Sequence, residues 1–371
     1  MSDIKVSVII PVYNGGQAFK KCLYDVMNQT LKDIEIICVD DGSTDESAQI
    51  ISQAALEDSR IQYVYQNNQG AAVARNKGME YATGEYVSFL DADDFYEAEM
   101  LEKAYINSVK HDVDICIFRG NKYDASSHQY LSMDYALRFH EIPCNPFTYK
   151  DISDNIFHFC VGWAWDKLYR RQFIIDEKLS FQNLRTSNDL FFVFSSLVKA
   201  KKIYALNELL IHHRVNDSLS LSVTREKSWN CFYLAANALK QELERIGKYH
   251  EVEKSFVNWY VHFSFWNLDT IEGDAYKKVY ELIKYEILPS LHLEQYPAGF
   301  LSTNYVKRVF DVQSYDCDEY VYEQFFKLRK KAKQKSDDGA KRIKNSKTYK
   351  VGKIVLFIPL HIKKWLKRRK K

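Results

Sequence analysis

Apolar residues open the chain in short runs bounded by polar turns. Val6-Ser-Val-Ile-Ile-Pro-Val12, Ile34-Glu-Ile-Ile-Cys-Val39, Ile61 to Tyr65 and Tyr86 to Leu90 are each five to seven residues long. Runs of this length predict buried strands. Between them the spacing turns helical. Phe19, Leu23, Val26 and Met27 share one face over 17–29. Ser43 to Asp45 offer N-cap chemistry for a helix over 46–57, and further helices are predicted over 70–82 and 97–110. A strand at Asp114 to Phe118 closes the series. Alternation of strand and helix from 5 to 118 predicts an α/β fold with a doubly wound, mostly parallel sheet.

After residue 225 the spacing is helical, as in Cys231, Leu234, Leu239 and Leu243. Trp259, Tyr260, Phe263 and Trp266 are expected in that core and not as a sugar platform. Lys327 to Lys335 predicts the start of a polar linker, with Asp337-Asp-Gly339 as a break. The expected organisation is a sheet domain over 1–222, a helical accessory domain over 223–335 and a basic tail over 336–371.

Open α/β sheets bind ligands beyond the carboxyl ends of their strands. Three such ends carry Pro11-Val-Tyr-Asn14, Asp40-Asp-Gly-Ser-Thr-Asp45 and Asp91-Ala-Asp-Asp94. Two carboxylates spaced Asp-x-Asp can hold a hard divalent cation, which in turn can hold a diphosphate. Acidic residues here could also simply cap the next helix. Neither Gly-x-Gly-x-x-Gly nor Gly-Lys-Ser/Thr follows the first strand, so dinucleotide and P-loop sites are not indicated.

Charge changes the picture at one end. The net charge of +3 conceals 13 Lys/Arg and no Asp/Glu within 341–371, which leaves 39 of the 52 basic residues against 49 acidic ones elsewhere. An acidic body speaks against nucleic acid as a partner. The tail, Lys350 to Lys371, mixes apolar residues with Lys/Arg clusters, a pattern drawn to anionic membrane surfaces. No apolar run approaches the ~20 residues that span a bilayer. Seven scattered cysteines without Cys-x-x-Cys spacing indicate reduced thiols. Together with an N-terminus that enters a strand directly, this gives an expected location in the cytoplasm, peripheral on the inner face of the membrane.

The blocks Val8 to Asn14, Val39 to Asp45, Ala74-Arg-Asn76 and Gly84-Glu-Tyr86 through Asp94 together resemble the GT-A-fold family 2 glycosyltransferases. Gly162 to Arg170 resembles the Trp-x-Lys-Leu-Tyr segment that follows the sheet in these enzymes. Ser187-Asn-Asp-Leu-Phe-Phe192 stands where members often carry Glu-Asp, with Asn188 in place of the first acid. The resemblance implies a UDP-sugar along Pro11, Val12, Tyr13, Asn14, Asp41, Arg75, Asp91 and Ala92, with Tyr13 packing on uracil and Asp41 accepting from its edge. It implies Mg²⁺ or Mn²⁺ on Asp93 and Asp91, and Asp189 as general base. Trp165, Lys167, Asn188, His213 and Arg214 become candidate contacts to acceptor or diphosphate. Adjacent strand residues point to opposite faces, so at most one of His212 and His213 is expected in the site, and a structural role is favoured for either. The implied reaction is inverting transfer to a saccharide acceptor, lipid-linked, in surface-polysaccharide synthesis; oligomerisation is left open. The rivals are a sugar-nucleotide nucleotidyltransferase, whose basic Gly-rich loop is missing at Tyr13-Asn-Gly-Gly16, and a non-catalytic membrane scaffold.

Overall fold

Strands and helices alternate from Val6 to Phe89 in the computed structural model, which describes residues 4–215 and 221–345. The order is β1 (Val6–Val12), α1 (Gly16–Met27), β2 (Ile34–Asp40), α2 (Ser47–Glu57), β3 (Ile61–Tyr65), α3 (Ala71–Tyr81) and β4 (Tyr86–Phe89). Then come β5 (Phe95–Tyr96), α4 (Met100–His111), β6 (Ile115–Asp124), β7 (Gln129–Leu131), β8 (Lys167–Arg170), α5 (Arg171–Asp176), α6 (Leu190–Lys199) and β9 (Ile203–Val215). Every residue of β1, β2 and β4 is buried, as expected of strands covered by helices on both faces.

The sheet runs β3-β2-β1-β4-β8-β6-β9-β5, with β7 beside β6. Its first half is parallel: β1 pairs with β2, β2 with β3 and β1 with β4. The second half is mixed, because β8 enters antiparallel between β4 and β6 while β9 runs parallel to β6. The ladder between β1 and β4 ends at Ile9 and Phe89, so Pro11 lies past its end and its missing N–H breaks no bond there. The strand expected at 114–118 continues to Asp124, where it receives β7 and the end of β9.

Helices follow: α7 (Cys231–Arg245), α8 (Tyr249–Thr270), then α9 (Ala275–Leu282), which passes through a π turn at Ile283–Ile287 into α10 (Leu288–Ser290). They belong to the same compact unit as the sheet, residues 1–306. The reason is visible in the packing: Trp259 of α8 meets Phe194 of α6 edge to face at 5.1 Å, and Phe157 lies 6.3 Å from the same indole. Trp259 and Tyr260 are buried, as expected of core residues, but Trp266 is 45% exposed under the Arg225 guanidinium.

The second unit begins at Lys307 and includes most of α11 (Thr303–Ser314) and all of α12 (Cys317–Asn345). The linker expected from Lys327 and the break at Asp337-Asp-Gly339 are both absent: α12 runs through them without interruption. Lys, Gln, Arg and Ala between 327 and 335 are strong helix formers, and one interior Gly costs only about 1 kcal/mol. The tail after Asn345 lies outside the described residues.

Candidate active site

The parallel half of the sheet brings three strand ends to one edge. Val12 pairs with Asp40, and the Val12 carbonyl accepts from the Asp41 amide at 2.8 Å. Pro11 and Val12 are buried, whereas Tyr13 is 53% exposed and presents a free ring. Asn14, at φ 51°, turns its side chain onto the neighbouring loop and accepts from the Thr44 amide at 2.8 Å. It therefore shapes the turn.

Asp41 is also committed. Its Oδ1 accepts from Gln66 Nε2 (2.7 Å) and the Gln69 amide (2.8 Å), and its Oδ2 accepts from the Gly70 amide (2.8 Å). This carboxylate fixes the loop that leads into α3, and only its remaining acceptor capacity is left for a ligand.

Beyond β4 the chain turns through Asp91-Ala-Asp-Asp94. Facing oxygens of the three carboxylates all lie within 4.8 Å of one another. Each carboxylate has a different fate. Asp94 is fully buried and accepts from His213 Nδ1 at 2.9 Å and from the Arg214 amide at 2.9 Å. Asp91 accepts from Arg75 Nη2 at 2.6 Å through Oδ1, and Tyr96 donates to its carbonyl at 2.8 Å. Among the described residues, Asp93 receives no side-chain donor. Burial, with repulsion from Asp94 and Asp91, pushes its carboxyl up to about 7. A carboxylate crowded by two others and short of donors is suited to a hard cation, and an all-oxygen set suits Mg²⁺ or Mn²⁺. Ala92 sits half-buried between Asp91 and Asp93, against the core.

His213 is the one histidine of the pair that reaches this cluster. Burial opposes its charge, but Asp94 outweighs that and lifts the ring to about 9. Its ring stacks on Trp165 at 5.2 Å, and Trp165 in turn stacks on Trp163 at 4.8 Å. His212 turns the other way, to Asn121 and Glu97. Alternation along β9 predicts this split, but not that Asp94 would be the partner. Asp94 was visible in the sequence as part of the acidic triplet, yet nothing there distinguished its role from that of Asp93.

On the far side stands the start of α6. Asp189 occupies the N-cap position, but its side chain makes no capping hydrogen bond. Burial lifts its carboxyl to about 6 against the opposing pull of Arg75. Asn188 is buried, and its Oδ1 accepts from Arg75 Nη1 at 3.0 Å. Arg75, 6% exposed, thus ties Asp91 at the end of β4 to Asn188 beside Asp189, with Phe181 5.4 Å from its guanidinium. It is a bridge between the two sides and has little surface to offer a ligand.

Lys167 presents no surface to a ligand. It is fully buried and donates to Asp166 Oδ1 (2.5 Å), the Trp163 carbonyl (2.8 Å) and the Val161 carbonyl (3.2 Å). An ammonium has three donors, and all three hold the segment that carries Trp163 and Trp165. Its place in the motif is structural.

A family model described as glycosyl transferase family 2 matches residues 7–173. The chain is 30% identical over 339 residues to the cholesterol galactosyltransferase of Borreliella burgdorferi, covering 86% of this chain and 89% of that protein. It is 28% identical over 290 residues to EpsH of Bacillus subtilis, covering 76% and 82%. Among solved structures, S. aureus TarS residues 1–349 in complex with UDP superimposes with a TM-score of 0.57 at 19% identity, over 84% of this chain and 90% of that one. That last likeness is one of fold. The family model and these relatives agree: the chain belongs to glycosyl transferase family 2, has a GT-A fold and is a glycosyltransferase.

Proposed function

We propose that the protein is an inverting transferase that moves a sugar from a UDP-sugar to a hydroxyl of a saccharide acceptor, with Asp189 as general base. The observation that carries this reading is the state of Asp189, which stands at a helix start, caps nothing and has its carboxyl lifted to about 6. A base poised near the working pH combines availability with proton affinity. Asp189 takes the proton of the acceptor hydroxyl as its oxygen bonds to the anomeric carbon and the bond from that carbon to the diphosphate breaks. One displacement inverts the carbon, so an α-linked donor gives a β-linked product. Asp93 and the free oxygen of Asp91 would hold Mg²⁺ or Mn²⁺, which as a Lewis acid would neutralise the departing diphosphate. Arg75 keeps Asp91 and the Asp189 helix in one frame.

Uridine is supported by the exposed Tyr13 ring, which follows the Val12 carbonyl bonded to the Asp41 amide, and by the UDP and UDP-GlcNAc complexes of TarS. Surface-polysaccharide synthesis is supported by the teichuronic acid biosynthesis named for TuaG of B. subtilis, 34% identical over 228 residues, and a lipid-linked acceptor by the basic, apolar tail. Placement on the inner face of the membrane rests on the sequence of the tail; among the described residues no helix is long and apolar enough to cross a bilayer. The family match speaks against the nucleotidyltransferase rival, and the presence of Asp93 and Asp189 against a non-catalytic scaffold.

Calorimetric titration of UDP tests the nucleotide assignment. Tyr13→Ala should weaken UDP by about tenfold, the scale of a lost base–aromatic stack, without loss of thermal stability. Asp41→Ala should weaken UDP too, with a drop in melting temperature because the 66–70 loop loses its anchor. Unchanged affinity in both variants would place the nucleotide elsewhere.

A further inference from the structure

The second unit carries a surface that the transfer reaction leaves unused. Along α12 one side is turned inward onto α11. Tyr320 is fully buried and accepts from Arg308 Nε at 3.0 Å, and Lys327 donates to Asp311 Oδ2 at 2.7 Å. Tyr320 and Lys327 are seven residues apart, two helical turns, and so define that side. Val321, Phe325 and Leu328 recur at i, i+4 and i+7 on another side, flanked by Tyr322 and Phe326. Their exposures run from 43% for Val321 to 66% for Leu328. Five neighbouring large apolar side chains on one helix form a patch that demands a partner.

Charge says which partner. From residue 324 to 336 the helix holds six Lys/Arg and no Asp/Glu. Arg329, Lys330, Lys331, Lys333 and Lys335 are all exposed. Aromatic rings with basic residues beside them on one helix suit the plane of an anionic bilayer, where rings enter the acyl boundary and long basic side chains reach back to phosphate. A second protein with a hydrophobic groove would gain nothing from five unpaired cations, and a second copy of this helix would meet them with like charge. The sequence after Asn345 adds more Lys/Arg with no acid.

We propose that the outward side of α12, Val321 to Lys335, is a membrane-docking surface for anionic lipid. It lies upstream of the tail in which the sequence alone places membrane contact, and it does not depend on which sugar is moved.

The test uses the full chain and two paired variants, Phe325→Gln with Phe326→Gln, and Lys330→Glu with Lys331→Glu. Both alter exposed helix positions, and Gln and Glu are good helix formers. Co-sedimentation is measured with vesicles of phosphatidylglycerol and phosphatidylcholine in equal parts, and with phosphatidylcholine alone. Wild type should bind the mixed vesicles more tightly than the neutral ones. Each pair should lose about tenfold or more in affinity for the mixed vesicles, since one removes the inserting rings and the other removes and reverses basic charge at the anionic surface. Hydrolysis of the sugar nucleotide should be unchanged in both, which separates failure here from failure of the catalytic assignment. Unchanged vesicle affinity in either pair overturns the proposal, as does equal wild-type affinity for neutral vesicles. A variant that dissociates a wild-type dimer in sedimentation velocity while still binding vesicles normally would instead make this surface a contact between copies.

Discussion

Asp189→Asn is expected to cut the transfer rate at saturating donor by about 10²–10⁴, the range for a lost general base. The substitution is nearly isosteric, and the carboxylate makes no capping bond that Asn would need to replace. The neighbouring bond from Arg75 to Asn188 does not involve the altered side chain. Donor affinity should therefore hold, because the loss is in the transition state and not in the ground state. The pH profile gives a second readout. A base with its carboxyl lifted to about 6 is charged and competent above that pH, so the wild-type rate should fall as pH drops through 6. The residual rate of the variant should lack that limb. A rate within a few-fold of wild type would show that another group takes the proton.

Asp93→Asn should bring transfer close to background, and so should chelation of the wild type. Asp91 and Asp94 already serve Arg75 and His213, so Asp93 is the carboxylate of the cluster with capacity to spare for a cation. The same variant carries a stability signature. With its carboxyl lifted to about 7 by burial and by its neighbours, the folded chain holds a proton on Asp93 that the unfolded chain has released above about 4. Between those values the folded state binds more protons, so stability falls as pH rises through the window. Asparagine has no such proton to lose. Without added metal at pH 8, Asp93→Asn should melt higher than wild type, and Mn²⁺ should raise the melting temperature of wild type alone. Full transfer in the presence of chelator would remove the cation from the account.

The buried strands and the acidic turn after β4 were legible because parallel strands covered on both faces read as unbroken apolar runs, and because the turn chemistry follows them directly. Less could be read where tertiary contact decides. Lys167 looks like a ligand contact in a Trp-x-Lys-Leu-Tyr motif, yet its ammonium is consumed by Asp166 and two carbonyls. Arg75 looks like a nucleotide contact, yet it joins Asp91 to Asn188, residues 16 and 113 positions away. No local pattern encodes pairs so far apart. The antiparallel entry of β8 was equally hidden, since it follows a stretch from 132 to 166 that forms short 3₁₀ turns and isolated bridges but no longer helix or strand. In α12, Asp337-Asp-Gly339 has the composition of a break, but its flanks favour helix strongly enough to carry the chain through.

The stereochemistry of the product tests the central claim most directly. The enzyme is given α-linked UDP-sugars with Mn²⁺ and a panel of saccharide acceptors, and the anomeric proton of the new linkage is read by NMR. A single displacement driven by Asp189 predicts a β-linked glycoside. An α-linked product would contradict it, because retention needs a different sequence of bond changes from the one this site is proposed to perform.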